Sequence, residues 1–176
     1  MGRWKRMITA ILSGGLIAAA FATDIVKRKI PNRLTAAGLL IGLLLHTVME
    51  GLAGAGYALT GAALGFAPLL LLYWMHAVGA GDVKLFAALG ALTGAEFVLQ
   101  SIMYSLLYAA FISCLILIWR REWKQRGGRI ARSLLLFAWF KEPRQLKAFG
   151  RSPQHLRFPF MWAVLPAAAT VFYQIL

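Results

Sequence analysis

Long apolar runs, separated by short polar or glycine-rich segments, dominate the hydropathy pattern of this chain. Because a helix of about twenty apolar residues spans the hydrocarbon core of a bilayer, the pattern predicts an all-α, polytopic membrane helix bundle with about six transmembrane helices. The predicted helices are residues 7–23, 34–49, 56–75, 83–92, 97–119 and 158–176. The fourth is too short to cross alone, so the irregular segment before it should be covered by protein or reached by water.

The composition supports a membrane protein, because 60% of the 176 residues are hydrophobic and an ordinary soluble domain is nearer half. We expect one membrane-embedded domain over residues 1–176. Its most basic part, about 120–157, carries eleven of the nineteen Lys and Arg residues and predicts a loop with anionic lipids nearby. Within that loop, the apolar run 130–140 is too short to cross and predicts a surface helix.

The distribution of basic residues predicts the orientation of the bundle. With six helices, the first, third and fifth loops together hold sixteen Lys and Arg residues, and the opposite face receives three at the N-terminus. Since cytoplasmic loops retain basic residues, we expect those three loops in the cytoplasm. The formal net charge of +13 therefore indicates topology rather than nucleic-acid binding.

The N-terminal segment disagrees with that orientation. Arg3, Lys5 and Arg6 would lie on the non-cytoplasmic side, and together with the apolar run that ends at Ala22 they also resemble a secretory signal peptide. We interpret the segment as a retained first helix, because the candidate site described next needs Asp24 to remain attached.

Only two aspartates, Asp24 and Asp82, occur in the chain. In the predicted topology both lie at cytoplasmic helix ends, where a carboxylate usually faces a cavity, a partner or an active site. Two carboxyl groups that lie close together share a proton. One then acts as general base on a water molecule while the protonated one polarises a scissile carbonyl, as in an aspartic protease. Each aspartate alone is equally well explained as an interfacial carboxylate paired with Lys27 or Lys84.

The glycines before Asp82 suit a site that another chain must approach. Gly79 and Gly81 permit backbone angles closed to other residues, although a simple helix-breaking turn explains them as well. Because Asp82 begins a helix and Asp24 ends one, the helix dipole predicts that Asp82 is the readier to ionise and Asp24 the readier to stay protonated.

Two segments resemble the aspartate signatures of the type IV prepilin peptidases, a family of GxGD intramembrane aspartic proteases. The first is Thr23-Asp24 followed by Lys29-Ile30-Pro31-Asn32, and the second is Gly79-Ala80-Gly81-Asp82-Val83-Lys84-Leu85. Phe158-Pro159-Phe160 is a looser match to the proline-containing segment near the C-terminus of that family. The resemblance covers nearly all of the chain.

This resemblance implies that Asp24 and Asp82 are the catalytic pair of a multi-pass protein of the inner (plasma) membrane. It implies cleavage of the basic leader from prepilins or pseudopilins at the cytoplasmic face, in type IV pilus or protein-secretion systems. The candidate site-shaping or substrate-binding residues are Gly79, Gly81, Lys84, Pro31, Asn32 and Pro159. With one cysteine and three scattered histidines, we expect neither a metal nor another cofactor.

Longer members of that family also methylate the new N-terminus and carry paired CxxC motifs, which one cysteine cannot supply. The sequence therefore predicts a short form without a methyltransferase domain. Presenilin-like proteases share the GxGD element, but Leu165-Pro166-Ala167 matches their second motif only in part. Two alternatives come from other classes of protein: a small ion-coupled transporter whose carboxylates bind cations, and a non-catalytic membrane adaptor.

Overall fold

The computed structural model describes residues 3–27, 30–75, 77–119 and 161–175, and the elements within these ranges are helices. In chain order they are α1 (Arg3–Lys27), α2 (Asn32–Trp74), α3 (Ala80–Thr93), α4 (Ala95–Trp119) and α5 (Met161–Ile175). Three helical segments are long and apolar enough to cross a membrane, namely Trp4–Val26, Asn32–Trp74 and Ala95–Ile116. The all-α prediction is therefore confirmed for the described residues, whereas the predicted count of about six spans is not confirmed.

The predicted second and third helices, 34–49 and 56–75, correspond to two helical arms of α2 that meet at a kink. α2 is 43 residues long and is interrupted inside at Gly51, whose backbone has φ 63° and ψ −142°. Glycine adopts such a positive φ without the steric cost that a side chain imposes. The polar dip in the hydropathy pattern therefore marks a break between two arms, 32–50 and 52–74, rather than a separate loop.

α3 packs closely against both arms of α2 through residues without side chains. A Cβ added at Gly42 in the first arm, or at Gly61 in the second, would overlap the backbone of Ala91 or Gly90 of α3 respectively. Small residues allow this approach, which is a principal source of packing energy between membrane helices. Almost all of α3 from Val83 to Leu92 is buried as a result, and its first turn is held in a fixed position beside α2.

α1 and α5 complete the described part of this core. Leu16 of α1 belongs to the buried apolar cluster, and Phe21 of α1 faces Trp162 of α5 with ring centroids 6.2 Å apart. Phe97 and Phe172 link α4 to α5 with a centroid distance of 4.8 Å. These contacts hold the C-terminal part of α1 beside the rest of the core.

The last turns of α4, residues 109–119, belong to a different unit of the chain from the described residues up to 108 and those of α5. The structure describes only these residues of that unit. The predicted basic loop of about 120–157 and its predicted surface helix lie outside the described residues. Both stay predictions, as does the single-domain organisation.

The close packing of α2 on α3 predicts that Gly61→Ala destabilises the protein by about 1–3 kcal/mol, because the added methyl group overlaps the Gly90 carbonyl oxygen. Gly56→Ala is the matched control on the same helix, since a Cβ there meets nothing within 4 Å. The free energy of unfolding of each purified variant, measured by denaturant titration in detergent, checks the prediction. Equal values for the two variants would contradict the close approach.

Candidate active site

One pocket lies where the end of α1 meets the starts of α2 and α3. It has a volume of about 500 Å³. Its lining residues come from three separate stretches of the chain and are Asp24, Ile30, Pro31, Asn32, Gly79, Ala80, Gly81, Asp82 and Lys84. Both aspartates therefore face the same pocket, although they are far apart in the sequence.

The first turn of α3 positions Asp82. Gly79 precedes the helix in an extended conformation, and its carbonyl oxygen accepts hydrogen bonds from the N–H groups of Asp82 and Val83, at 3.1 and 3.3 Å. The Gly79 N–H in turn donates to Asp82 Oδ2 at 3.3 Å. This reciprocal arrangement satisfies donors that a helix start leaves unpaired, and it fixes the carboxyl group at the pocket wall.

The two glycines of this segment are needed for close contacts rather than for unusual backbone angles. A Cβ at Gly79 would lie 3.2 Å from Asp82 Oδ2, and a Cβ at Gly81 would lie 3.3 Å from the Cβ of Ile30. A side chain at either position would press on the carboxyl group or on the opposite pocket wall. Gly79 and Gly81 thus keep the pocket open around Asp82.

The last turns of α1 carry Asp24, which is partly buried, three residues before the end of the helix. Its neighbour Thr23 turns its hydroxyl back onto the same helix, where it donates to the carbonyl oxygens of Ala19 and Ala20 at 3.0 and 2.9 Å. The Thr23 hydroxyl is therefore engaged by the backbone. The carboxyl group of Asp24 is the chemically useful group that α1 contributes to the pocket.

Burial is the main electrostatic influence on Asp82, which precedes the buried run of α3. Burial and, less strongly, the negative charge of Asp24 raise the pKa of Asp82, the hydrogen bond from Gly79 lowers it, and the net result is a pKa of about 6. The prediction that Asp82 is the readier of the two to ionise is wrong, because it considered the helix dipole and left out burial. The influence of Asp24 also indicates that the two carboxyl groups are coupled.

Lys84 and Asn32 join two walls of the pocket. The Lys84 Nζ donates a hydrogen bond to Asn32 Oδ1 at 3.0 Å, which links the first turn of α3 to the first residue of α2. Pro31 caps α2, and its carbonyl oxygen accepts from the N–H groups of Leu34 and Thr35 at 3.0 and 3.4 Å. Lys84 is thus directed at Asn32 rather than paired with an aspartate.

Seven of the eight residues proposed from the sequence line this pocket, and the eighth, Pro159, lies outside the described residues. Sequence reasoning did not select Ile30 and Ala80, which also line it. Ile30 lies in the first signature segment and Ala80 in the second, so their position within these segments was the signal that could have identified them. Within the described ranges, no three His, Cys, Asp or Glu side chains come together as a possible metal site.

Two carboxyl groups at one pocket form the type of site that aspartic proteases use. Residues 10–118 of the chain match the type IV leader peptidase family. This match spans more than half of the chain and includes both aspartates, so the chain belongs to the type IV leader peptidase family. The resemblance found in the two signature segments is confirmed.

Individual relatives agree with the family match. The chain is 30% identical over 143 residues to a prepilin leader peptidase/N-methyltransferase of Aeromonas hydrophila, across 77% of this chain and 49% of that protein. It is 37% identical over 98 residues to the corresponding protein of Aeromonas salmonicida strain A449, across 52% of this chain and 33% of that protein. The aligned part is thus half or less of each relative. No solved structure gives a significant match.

The raised pKa of Asp82 predicts how this group changes stability with pH. In the folded protein Asp82 holds its proton up to about pH 6, whereas at its ordinary pKa of 3.8 it would lose the proton earlier. Between these values the native state binds more protons than the unfolded state, so the contribution of Asp82 to the free energy of unfolding falls as the pH rises from about 4 to 6. Unfolding titrations at several pH values in detergent measure this slope.

Asp82→Asn should remove that part of the pH dependence, because an amide does not titrate. Glu96→Gln is the matched control, since Glu96 is an exposed acidic residue outside the pocket. A slope that is the same in wild type and Asp82→Asn would contradict the raised pKa.

Proposed function

We propose that this protein is a membrane aspartic endopeptidase that removes the basic leader peptide from type IV prepilins or pilin-like precursors. The observation that carries the proposal is that the only two aspartates of the chain, Asp24 and Asp82, line one pocket. Membership of the type IV leader peptidase family supports the reaction and the class of substrate. The similarity to two prepilin leader peptidase/N-methyltransferases of Aeromonas supports it further.

The proposed reaction uses one proton shared by the two carboxyl groups. The ionised carboxylate takes a proton from a water molecule, and the water oxygen forms a bond to the scissile carbonyl carbon. The protonated carboxyl group donates to the carbonyl oxygen, which carries the developing negative charge. When the tetrahedral intermediate collapses, the C–N bond breaks and the leaving amine receives a proton from the pair.

Asp82 is the better candidate for the protonated member. Its pKa is raised to about 6 by burial and by the charge of Asp24, and a protonated carboxyl group is what polarisation of a carbonyl oxygen requires. Asp24 then serves as the general base. Because the groups are coupled, the proton belongs to the pair, and the assignment describes the favoured arrangement of that proton.

We further propose that the pocket opens at the cytoplasmic face of the inner membrane. Arg33 and Lys84 lie in the segments that begin α2 and α3 beside the pocket, and basic residues are retained on the cytoplasmic side of membrane proteins. A basic leader must approach this cationic rim, and the two carboxyl groups supply part of the compensating negative charge. The apolar helix of the precursor would remain in the bilayer during cleavage.

The position of the carboxyl groups also favours hydrolysis over ion transport. A coupling site in a transporter is expected near the middle of the membrane, between broken helices. Asp24 lies in the last turns of α1 and Asp82 in the first turn of α3, so both are at helix ends. A precursor chain and a water molecule reach such a position more easily than the centre of a bundle.

Replacement of either aspartate should abolish most of the activity. We expect Asp24→Asn and Asp82→Asn each to lower the rate of leader cleavage by about 10²–10⁴-fold, because each removes a group that transfers a proton in the reaction. Co-expression with a tagged candidate prepilin, followed by the size shift of the processed product, provides the measurement. Purified protein in detergent with the same precursor provides the rates.

Glu96→Gln controls for the loss of a carboxylate elsewhere and should cleave normally. Full cleavage by Asp24→Asn or by Asp82→Asn would refute the catalytic pair. Normal behaviour of both variants is the result that the non-catalytic adaptor alternative predicts.

The hydrogen bond between Lys84 and Asn32 predicts a coupled effect on cleavage. We expect Lys84→Met and Asn32→Leu each to lower kcat/KM, and the double variant to be little worse than either single one, because both remove the same link between the pocket walls. A coupling energy of about 0.5–3 kcal/mol is typical of residues in direct contact. Arg6→Met, which removes an exposed basic residue that does not line the pocket, is the control. Fully additive losses would contradict the link.

A further inference from the structure

A second polar cluster lies at the other end of α1 and α3, and the proposed reaction does not use it. Its members are Lys5, His46, Glu50 and Tyr57, and we call it the Lys5 cluster. Lys5 is only 7% exposed, forms an ion pair with Glu50, and has its Nζ 5.7 Å from the centroid of the Tyr57 ring. A buried cation in an apolar helix needs such partners, so the N-terminal turn of α1 is held at a defined place.

One partner of Lys5, Tyr57, is itself fixed to α3, and so is its neighbour His46. The Tyr57 hydroxyl donates to the carbonyl oxygen of Thr93 at 3.0 Å. The His46 Nε2 lies 2.9 Å from the carbonyl oxygen of Leu92 and must donate to it, since a carbonyl oxygen only accepts. The His46 and Tyr57 rings also contact each other, with centroids 5.0 Å apart. Lys5 is therefore tied to the closely packed pair of α2 and α3.

Elsewhere the side chains that α1 buries form no polar contact with another described helix: the Thr9 and Ser13 hydroxyls donate to carbonyl oxygens of α1 itself, and the other buried residues are apolar. Leu16, Ile17 and Ala20 are buried there, and Leu16 fills the space beside Gly38 of α2. Apolar contacts of this kind tolerate a small shift of one helix along another. The ion pair joins the buried Lys5 to Glu50, whose side chain is 46% exposed. Such a pair is directional and is lost on such a shift, and polar pairs with a buried member can specify helix register.

The length of α1 from Lys5 to Asp24 is nearly equal to the length of the first arm of α2 from Glu50 back to Asn32. Asp24 lies nineteen residues after Lys5, and Glu50 lies eighteen residues after Asn32. At 1.5 Å per residue these are rises of about 28 and 27 Å. Pairing Lys5 with Glu50 therefore brings Asp24 level with Asn32, and both residues line the candidate pocket. A slip of one residue would move Asp24 by about 1.5 Å and turn it by about 100°.

We propose that Lys5 is a positioning residue for Asp24: its ion pair with Glu50 fixes the register of α1 and so holds Asp24 opposite Asp82. The expected effect on kcat rests on the proposed peptidase function. The claim that the ion pair fixes the register of α1 does not depend on that function. Except for Asp24, the pocket is lined by residues 30–32, 79–82 and 84, outside α1. A loss of register therefore lowers kcat and leaves KM nearly unchanged.

The kinetic test compares Lys5→Met, Glu50→Gln and the exchanged pair Lys5→Glu with Glu50→Lys. A displacement of about 1 Å at a catalytic group costs up to about 100-fold, so we expect each single variant to lower kcat by about 10- to 100-fold. The exchanged pair should recover most of that loss, because an ion pair forms again. Arg6→Met is the matched control: it removes the same charge from an exposed position one residue later and should leave kcat unchanged.

A second test reports the register without any substrate. Leu16→Cys with Gly38→Cys, in a Cys114→Ser background, places two thiols where α1 lies against α2, and disulfide formation requires Cα atoms within about 7 Å. We expect mild oxidation to cross-link this protein, the addition of Lys5→Met to reduce the cross-linked fraction, and the exchanged pair to restore it.

The two tests together decide the proposal. A fall in cross-linking and kcat with Lys5→Met, and recovery of both in the exchanged pair, supports it. Unchanged cross-linking with Lys5→Met overturns it, whatever happens to kcat, because α1 then keeps its register without Lys5. If the wild-type protein cleaves no precursor, the proposed function is contradicted, and the cross-linking result still decides the register.

Discussion

The close approach of α3 to both arms of α2 is the interaction on which the rest of the structure depends. α3 has 14 residues and is therefore about 21 Å long, which is less than the roughly 30 Å of a bilayer core. Unpaired backbone groups at the ends of so short a helix are costly in lipid unless protein covers them. Glycines such as Gly61 and Gly90 let the backbones meet, so α2 supplies that cover. A short helix becomes stable, and its first turn can carry a carboxyl group.

The same packing explains why a candidate catalytic carboxyl group, that of Asp82, is found at the start of α3. A helix start offers unpaired N–H groups and a favourable dipole to a carboxylate, yet the surrounding protein removes water from it. For Asp82 the removal of water has the larger effect, and the pKa of Asp82 rises to about 6. A carboxyl group that titrates near pH 6 and lines the same pocket as a second carboxyl group is suited to proton transfer. The stability of the helix and the reactivity of the pocket thus have one origin.

The sequence was sufficient to predict the helical class and most of the residues that line the pocket, including Asp24 and Asp82, because apolar runs, rare charges and short signatures are local properties. The sequence was not sufficient for features that depend on contacts between residues far apart in the chain. Hydropathy treats each residue alone, so it began the first helix at residue 7, whereas α1 begins at Arg3 because Glu50 makes a buried Lys5 tolerable. The burial that controls Asp82 likewise comes from helices that the local sequence does not describe.

The ion pair of Lys5 also bears on the orientation proposed for the bundle. Arg3, Lys5 and Arg6 disagreed with the excess of basic residues on the opposite face, since all three were counted as free charges. Lys5 is buried against Glu50, so its charge is neutralised within the protein and contributes little to the distribution of charge across the membrane. The discordant basic residues fall from three to two, against sixteen in the three loops assigned to the cytoplasm. A contact that fixes the register of α1 therefore also weakens the main objection to a cytoplasmic site.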